Sequence, residues 1–147
     1  MRLDFNGRFT VNVSIDKTFA FLTNPESVSR CISDLEGFVP KDKSSFEAKI
    51  RVGVGPIHGV LNTQCSISDT RPPNSATLTI DGSGFGNKIR MEIKFTLASK
   101  SEQLTEVTWI STTEMKGIMT GLGEGMIRKL SQEKMEEVIE RVKNGAA

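Results

Sequence analysis

The sequence predicts an α+β domain: a curved antiparallel sheet with two short helices after its first strand and a long C-terminal helix over its face. Three observations predict it. One run, Gly117 to Lys143 (GIMTGLGEGMIRKLSQEKMEEVIERVK), is long enough for about seven helical turns. Ahead of it, apolar residues alternate with polar ones in the period of two that marks strands. Between the first alternating stretch and the others stand two capped helical starts. A long helix that follows an antiparallel sheet buries its apolar side on the concave face, so it either fills the concavity or roofs a hollow. With 147 residues the chain fits one domain, residues 1–147, large enough for a substantial core.

Each element has its own signal. From Leu3 to Ile15 the odd positions are apolar (Leu3, Phe5, Phe9, Val11, Val13, Ile15), which reads as a half-buried strand, with Gly7 at the place of a bulge. Asp16 suits an N-cap, and the two turns after it offer Phe19, Ala20 and Leu22 for burial. Asn24-Pro25-Glu26 restarts the chain as cap, first-turn proline and first-turn acid. The second helix carries Val28, Cys31 and Ile32 and ends before Gly37, leaving Asp34 and Glu36 in a loop.

Five strands follow. Their apolar positions are Phe46–Val54 on even numbers, Leu61–Ile67 on odd numbers, Ala76–Ile80, Ile89–Leu97, and Val107 and Trp109 continuing through Ser111, Thr113 and Met115. Along the terminal helix, Ile118, Met119, Leu122, Met126, Ile127 and Leu130 form one stripe. Met135, Val138, Ile139 and Val142 form another, turned by roughly 150° at 100° per residue. Either the helix bends near Ser131, or its second half packs on something besides the sheet. That something is the pair of short helices or a partner surface.

Composition excludes several classes. The net charge of +1 is spread over both signs, so nothing draws the chain to nucleic acid. MRLDFNG lacks the apolar core of a signal peptide and no stretch reaches bilayer-spanning length. Cys31 and Cys65 lie far apart without metal-ligand spacing, so both are expected as reduced, packed thiols in a cytoplasmic protein.

Connectivity adds a spatial expectation. In an up-and-down meander the turns at Gly53–Gly59 and Gly82–Gly86 share one end of the sheet. The last strand delivers Gly117, Gly121, Gly123 and Gly125 to that same end. Tight hairpins with close helix–sheet approach would explain these glycines, and so would a pliable mouth. The inner parity of the last strand points the same way, because a dry core rarely places hydroxyls at the adjacent inner positions Ser111 and Thr113. They either lie at a wetted rim or serve as polar handles in a lined cavity. The wall of such a cavity would be Leu22, Ile50, Thr63, Cys65, Met91, Phe95, Trp109, Ser111, Thr113 and Met115, roofed by Met119, Leu122 and Met126.

Signals for catalysis are sparse. His58, the single histidine, falls in a glycine-rich turn, and the sequence contains no tyrosine, nucleophile motif, metal cluster or P-loop. GSGFG lies between two antiparallel strands rather than before a helix, so it is not read as a phosphate loop. Asp81 has outward parity. The pairs Glu124–Arg128, Lys129–Glu133 and Glu137–Arg141 are spaced as surface ion pairs on the helix. No cofactor or metal is expected.

The order of elements, with GRFTV at 7–11, NPESVSRCI at 24–32, FEAKIRVGVGPIHGVL at 46–61, LTIDGSGFGNKI at 78–89, TEVTWI at 105–110 and GIMTGLGEGMI at 117–127, resembles the helix-grip fold of the Bet v 1/START-like (SRPBCC) superfamily. More narrowly it resembles the CoxG family associated with carbon monoxide dehydrogenase. Phe19 stands where relatives tend to carry tryptophan, and Glu36-Gly37 where they carry proline-glycine. No long tail follows Lys143, so recruitment through an extended C-terminal membrane anchor is not expected. The resemblance implies a non-catalytic protein that binds a quinone-like or lipid-like molecule. It also implies a protein partner, a molybdenum-containing carbon monoxide dehydrogenase or related hydroxylase, aided in electron delivery or in contact with the inner face of the membrane. A superfamily enzyme, cyclase-like or hydrolase-like, and a pure interaction module using the second half of the last helix are the alternatives.

Overall fold

The computed structural model describes residues 1–54 and 56–147, so Gly55 of the first glycine-rich turn lies outside the described residues. Strand β1 (Arg2–Val11) leads into helices α1 (Ile15–Leu22) and α2 (Pro25–Arg30). Strands β2 (Leu35–Pro40), β3 (Ser45–Val54), β4 (Ile57–Arg71), β5 (Ser75–Gly84), β6 (Asn87–Ser101) and β7 (Leu104–Gly117) follow. A 3-10 helix (Ile118–Leu122) and helix α3 (Glu124–Ala146) close the chain. The seven strands form one sheet in the order β1-β7-β6-β5-β4-β3-β2, antiparallel throughout.

Several local expectations are corrected. The first strand stops at Val11, and the N-cap of α1 is Ser14, whose Oγ accepts from Lys17 N at 3.3 Å; Asp16 lies in the first turn. Ala20 is exposed, whereas Phe19 is buried. Gly7 makes no bulge, because the β1–β7 register runs unbroken from Arg2↔Glu114 to Val11↔Thr105. Its role is steric: a Cβ there would meet Trp109 Cζ2 at 2.9 Å, so the missing side chain lets the indole lie across β1. The Asn24 cap holds as read, accepting from Glu26 N at 2.9 Å and Ser27 N at 3.1 Å.

The segment read as a loop after α2 contains an additional strand, β2. It is an edge strand of 6 residues with a register shift between Leu35 and Gly37, which breaks the alternation that would have revealed it. Glu36 sits on this strand and accepts from Arg51 Nε at 2.6 Å.

The terminal helix is also not one rod. Gly117 (φ 119°) and Gly123 (φ 89°) bracket the 3-10 helix, and α3 starts only at Glu124. Of the first stripe, Ile118, Met119 and Leu122 precede α3, and within α3 Met126 is exposed and lies off the buried face. Within α3, Ile127, Ser131, Met135, Val138 and Val142 fall within about 80° of one another. The break is at Gly123, not near Ser131.

Three apolar clusters hold the fold. The first joins Val11, Phe19, Phe95, Leu97, Val107 and Val142, with Phe21, Leu22 and Val138 packed on it. The second half of α3 therefore rests on the short helices, as one of the two readings required. Lys134 Nζ adds ties to Asp34 Oδ2 at 2.9 Å and Ser33 Oγ at 3.1 Å, and Ser33 Oγ donates to Glu137 Oε2 at 3.1 Å. The second cluster, at the glycine end, joins Leu3, Phe5, Met115, Met119 and Ile127, with Leu122 and Met135 against it. The third joins Phe46, Ala48 and Cys65 with Val28, Ile32 and Phe38 along the β2–β3 edge.

Candidate functional site

The concave face is largely apolar from edge to edge. Among the described residues, no inward position of the regular strand ladders carries a charged side chain. His58 is exposed, and Asp81 points outward and accepts from Arg90 Nη1 at 2.8 Å. Lys134, by hydrogen bond and charge, holds the Asp34 carboxyl below its ordinary range. Burial pushes the Cys31 thiol up to about 11 and raises that of Cys65, so both are neutral thiols at physiological pH.

This apolar wall is incompletely covered. Ile50, Ile80, Ile89, Met91, Ile93 and Trp109 share the inner parity of their strands yet are only half-buried. Ile50, Met91 and Ile93 join none of the three clusters. Backbone contacts of α3 run to β1 and to α1 and α2, at the sides of this face. Side-chain packing is thus dense at both ends and along one edge, and discontinuous over the middle of β3, β5 and β6.

Strand β7 brings a row of polar atoms to the same face. Ser111 and Thr113 are 3% and 4% exposed, flanked across the sheet by Phe5 and Ile93 and by Leu3 and Met91 respectively. Ser111 Oγ, Thr113 Oγ1 and Trp109 Nε1 are sealed from solvent, and none has a hydrogen-bond partner. Thr63 is different, since its Oγ1 donates to Ala48 O at 2.9 Å and lies 3.8 Å from Cys65 Sγ.

The other expected wall residues divide by location. Leu22 and Phe95 belong to the first cluster, while Met115, Met119 and Leu122 belong to the second at the glycine end. Met126 is 49% exposed and lies outside the wall. Ile80, Ile89 and Ile93 complete the half-buried wall. The inner parity of their strands is the sequence signal that marks them.

The three glycine-rich stretches do meet at one rim. Phe85 packs over Gly59, and Ile118 over Gly86. Ile118 N donates to Gly86 O at 3.2 Å and Met119 N to Asn87 Oδ1 at 2.8 Å. Beyond Gly117, the positions of Gly121, Gly123 and Gly125 face open space.

A depression of about 620 Å³ lies on the opposite, outer face of the sheet, between Val39, Lys49, Gln64, Ser83, Lys88 and Lys116. It is open and lined by side chains of both signs, with Arg90 and Asp81 already paired, so its chemistry selects no ligand and the inner face is the candidate site. Among the described residues no cluster of His, Cys, Asp or Glu could hold a metal, and no helix is long and apolar enough to cross a membrane.

Comparison with known proteins agrees with this architecture. A conserved protein from Geobacillus kaustophilus is similar at 17% identity and TM-score 0.89, covering 98% of this chain and 95% of that one. A START superfamily protein from Mycobacterium smegmatis matches at 14% identity and TM-score 0.67, covering 96% and 94%. The Zhui aromatase/cyclase from Streptomyces sp. R1128 matches at 8% identity and TM-score 0.71, covering 99% and 94%. No curated protein matches the chain. The fold is thus the START-like helix grip, and the family model for CoxG of carbon monoxide dehydrogenase matches residues 7–147. The chain belongs to the CoxG family.

Proposed function

We propose that this protein binds a hydrophobic small molecule, quinone-like or lipid-like, between the sheet and α3, and that it does so without catalysing a reaction. The observation that carries the reading is the apolar inner wall that α3 leaves half-covered at Ile50, Ile80, Met91 and Ile93. Partly exposed isoleucine and methionine on a concave face gain roughly 25 cal/mol for each Å² an apolar guest covers. Family membership supports a further role as accessory to a molybdenum carbon monoxide dehydrogenase-type enzyme, with peripheral contact at the inner face of the membrane.

Organic extraction of the purified protein followed by mass spectrometry is expected to recover a stoichiometric quinone or lipid. A clean extract from protein that also fails to bind added quinone would refute the reading. Co-purification with such a hydroxylase tests the accessory role separately. A second reading, a superfamily enzyme, is prompted by the aromatase/cyclase among the similar folds. It needs a titratable group on the inner wall, where among the described ladder positions that group is the Cys65 thiol, held neutral by burial. The interaction-module reading keeps Ile139, which joins none of the three clusters, whereas Met135, Val138 and Val142 pack into the first and second clusters.

A further inference from the structure

We propose that the outer face of the sheet carries a docking trough for an acidic, extended segment of a partner polypeptide, formed by the cross-strand row Lys49, Asn62, Ser83, Lys88 and Lys116. The inference concerns the face opposite the apolar wall and is independent of the hydrophobic ligand.

The outer depression is mixed in sign as a whole and shaped for no compact ligand, yet its floor divides into two rows. In one, Glu47, Gln64, Asp81, Arg90 and Glu114 are successive cross-strand neighbours, and Arg2 follows on β1. Opposite charges meet there. Asp81 accepts from Arg90 Nη1 at 2.8 Å, Glu47 lies 3.3 Å from Lys41 Nζ, and Glu114 stands between Arg90 and Arg2 in the register. The other row runs Lys49↔Asn62↔Ser83↔Lys88↔Lys116. It holds three ammonium groups, an amide and a hydroxyl, with no carboxylate, and all five side chains are exposed.

Lys88 and Lys116 face each other directly, an arrangement that destabilises a sheet. Among the described residues, no ion pair reaches Lys49, Lys88 or Lys116. A surface built only for the stability of the sheet would place an acid in this row, as the neighbouring row does. The uncompensated charge calls for a carboxylate from outside.

The spacing of the row indicates the form of that partner. Neighbouring strands are about 4.8 Å apart, so Lys88 and Lys116 stand about 14 and 19 Å from Lys49. An extended chain rises about 3.3 Å per residue and repeats its faces every second residue. Residues i, i+4 and i+6 of one face therefore lie at about 13 and 20 Å along it. Carboxylates at those three positions match the three lysines, while Asn62 and Ser83 can hydrogen-bond the backbone between them. Gly37, opposite Lys49 on the edge strand, bears no side chain, so the trough is open at that end, and Val39 beside it, 52% exposed, offers an apolar contact. A single chain fits the concavity, whereas a flat bilayer rests on its margins. The acids of the adjacent row oppose the broad phosphate backbone of a nucleic acid.

The test measures fluorescence anisotropy of two dye-labelled heptapeptides with the full chain at low ionic strength, where exposed charge pairs are least screened. One peptide has glutamate at its first, fifth and seventh positions and serine elsewhere; the other has glutamine at those three. Wild type is expected to bind the glutamate peptide about tenfold tighter, the sum of three exposed pairs. In Lys88→Gln/Lys116→Gln the preference is expected to fall to about twofold. Lys94→Gln/Lys100→Gln removes the same charge from lysines already paired with Glu92 and Glu106, and should keep the preference. Equal binding of the two peptides by wild type would overturn the trough. An equal loss in both double variants would overturn it as well, by assigning the binding to net charge. Sedimentation with phosphatidylcholine/phosphatidylglycerol vesicles and light scattering address the other occupants. Vesicle binding, or a dimer, that Lys88→Gln/Lys116→Gln abolishes while the peptides go unbound would give the row to a membrane or to a second copy, and the acidic segment would be refuted.

Discussion

Replacing Gly7 with alanine tests whether the indole of Trp109 is seated as described. The new Cβ would lie 2.9 Å from Cζ2, closer than real Cβ atoms come, and a tight 3.1 Å from both Cε2 and Nε1. The Gly7 backbone is paired in register with Trp109, so the strand cannot shift alone and the ring must tilt away. Overpacking of this kind costs about 1–3 kcal/mol. Alanine returns about 0.4–1 kcal/mol by restricting the unfolded chain. The net loss is at most about 2.6 kcal/mol and centres near about 1.3 kcal/mol, a fall of about 3–8 °C in Tm for a domain of this size. Trp109 is the sole tryptophan, so its emission reports the tilt directly. Trp109→Phe removes the clashing atoms, and the double variant should recover most of the loss, giving a coupling that a thermodynamic cycle measures. A Gly7→Ala protein as stable as wild type, with unchanged emission, would refute the placement of the ring.

Further outcomes follow from the latch between α3 and the loop after α2. Lys134 holds the carboxyls of Asp34 and Glu137 below their ordinary values, Asp34 chiefly through its hydrogen bond to Lys134 and Glu137 first through Ser33. Depressed carboxylate values mean stability that is present at neutral pH and lost as pH falls through the acid range, so unfolding free energy should decline between about pH 5 and pH 3. Lys134→Met should flatten that slope in denaturant titrations; an unchanged slope would show that the latch is not formed. The same pairing raises the Lys134 ammonium, chiefly by its hydrogen bond to Asp34, so its contribution is intact below the ordinary lysine value and fades at alkaline pH above it. Met135→Asp should destabilise by about 3 kcal/mol in chemical denaturation, because it puts a carboxylate against the second cluster. A folded, equally stable variant would restore the view of this face as a partner surface.

What could be read from the chain was what periodicity encodes. The long strands β3–β7 alternate over enough residues to fix both their existence and their inner faces, and Asn24-Pro25 announced α2 because a cap and a first-turn proline act locally. Strand β2 stayed hidden because an edge strand of 6 residues with a shifted register has no clean alternation. The break at Gly123 stayed hidden because apolar residues on both sides fit a helical count, and only the positive φ distinguishes the two segments. The inner parity of Ser111 and Thr113 was legible. That their hydroxyls lack partners was not, since hydrogen bonding depends on neighbours from β1 and β6 that no local pattern names.

The glycines of the rim can now be separated by what each would meet. A Cβ at Gly59 would strike Phe85 at 2.3 Å, so that position is glycine for packing, while Gly117 combines a positive φ of 119° with a Cβ clash on Gly86 O at 2.1 Å. Gly121 and Gly125 have nothing within 4 Å, so contact explains neither of them. Gly125 lies in the first turn of α3, where alanine is favoured by about 1 kcal/mol. Gly125→Ala and Gly121→Ala should therefore each raise stability, by about 0.4–1 kcal/mol in denaturant unfolding. If these glycines keep the mouth pliable, the same variants should slow release of a bound menadione in stopped-flow while leaving its affinity within about twofold, since opening is hindered and the bound contacts are untouched. Stabilisation with unchanged release would assign the mouth elsewhere. Destabilisation would mean that the open space around these positions is occupied in the folded protein, and the pliable-mouth reading would fall with it.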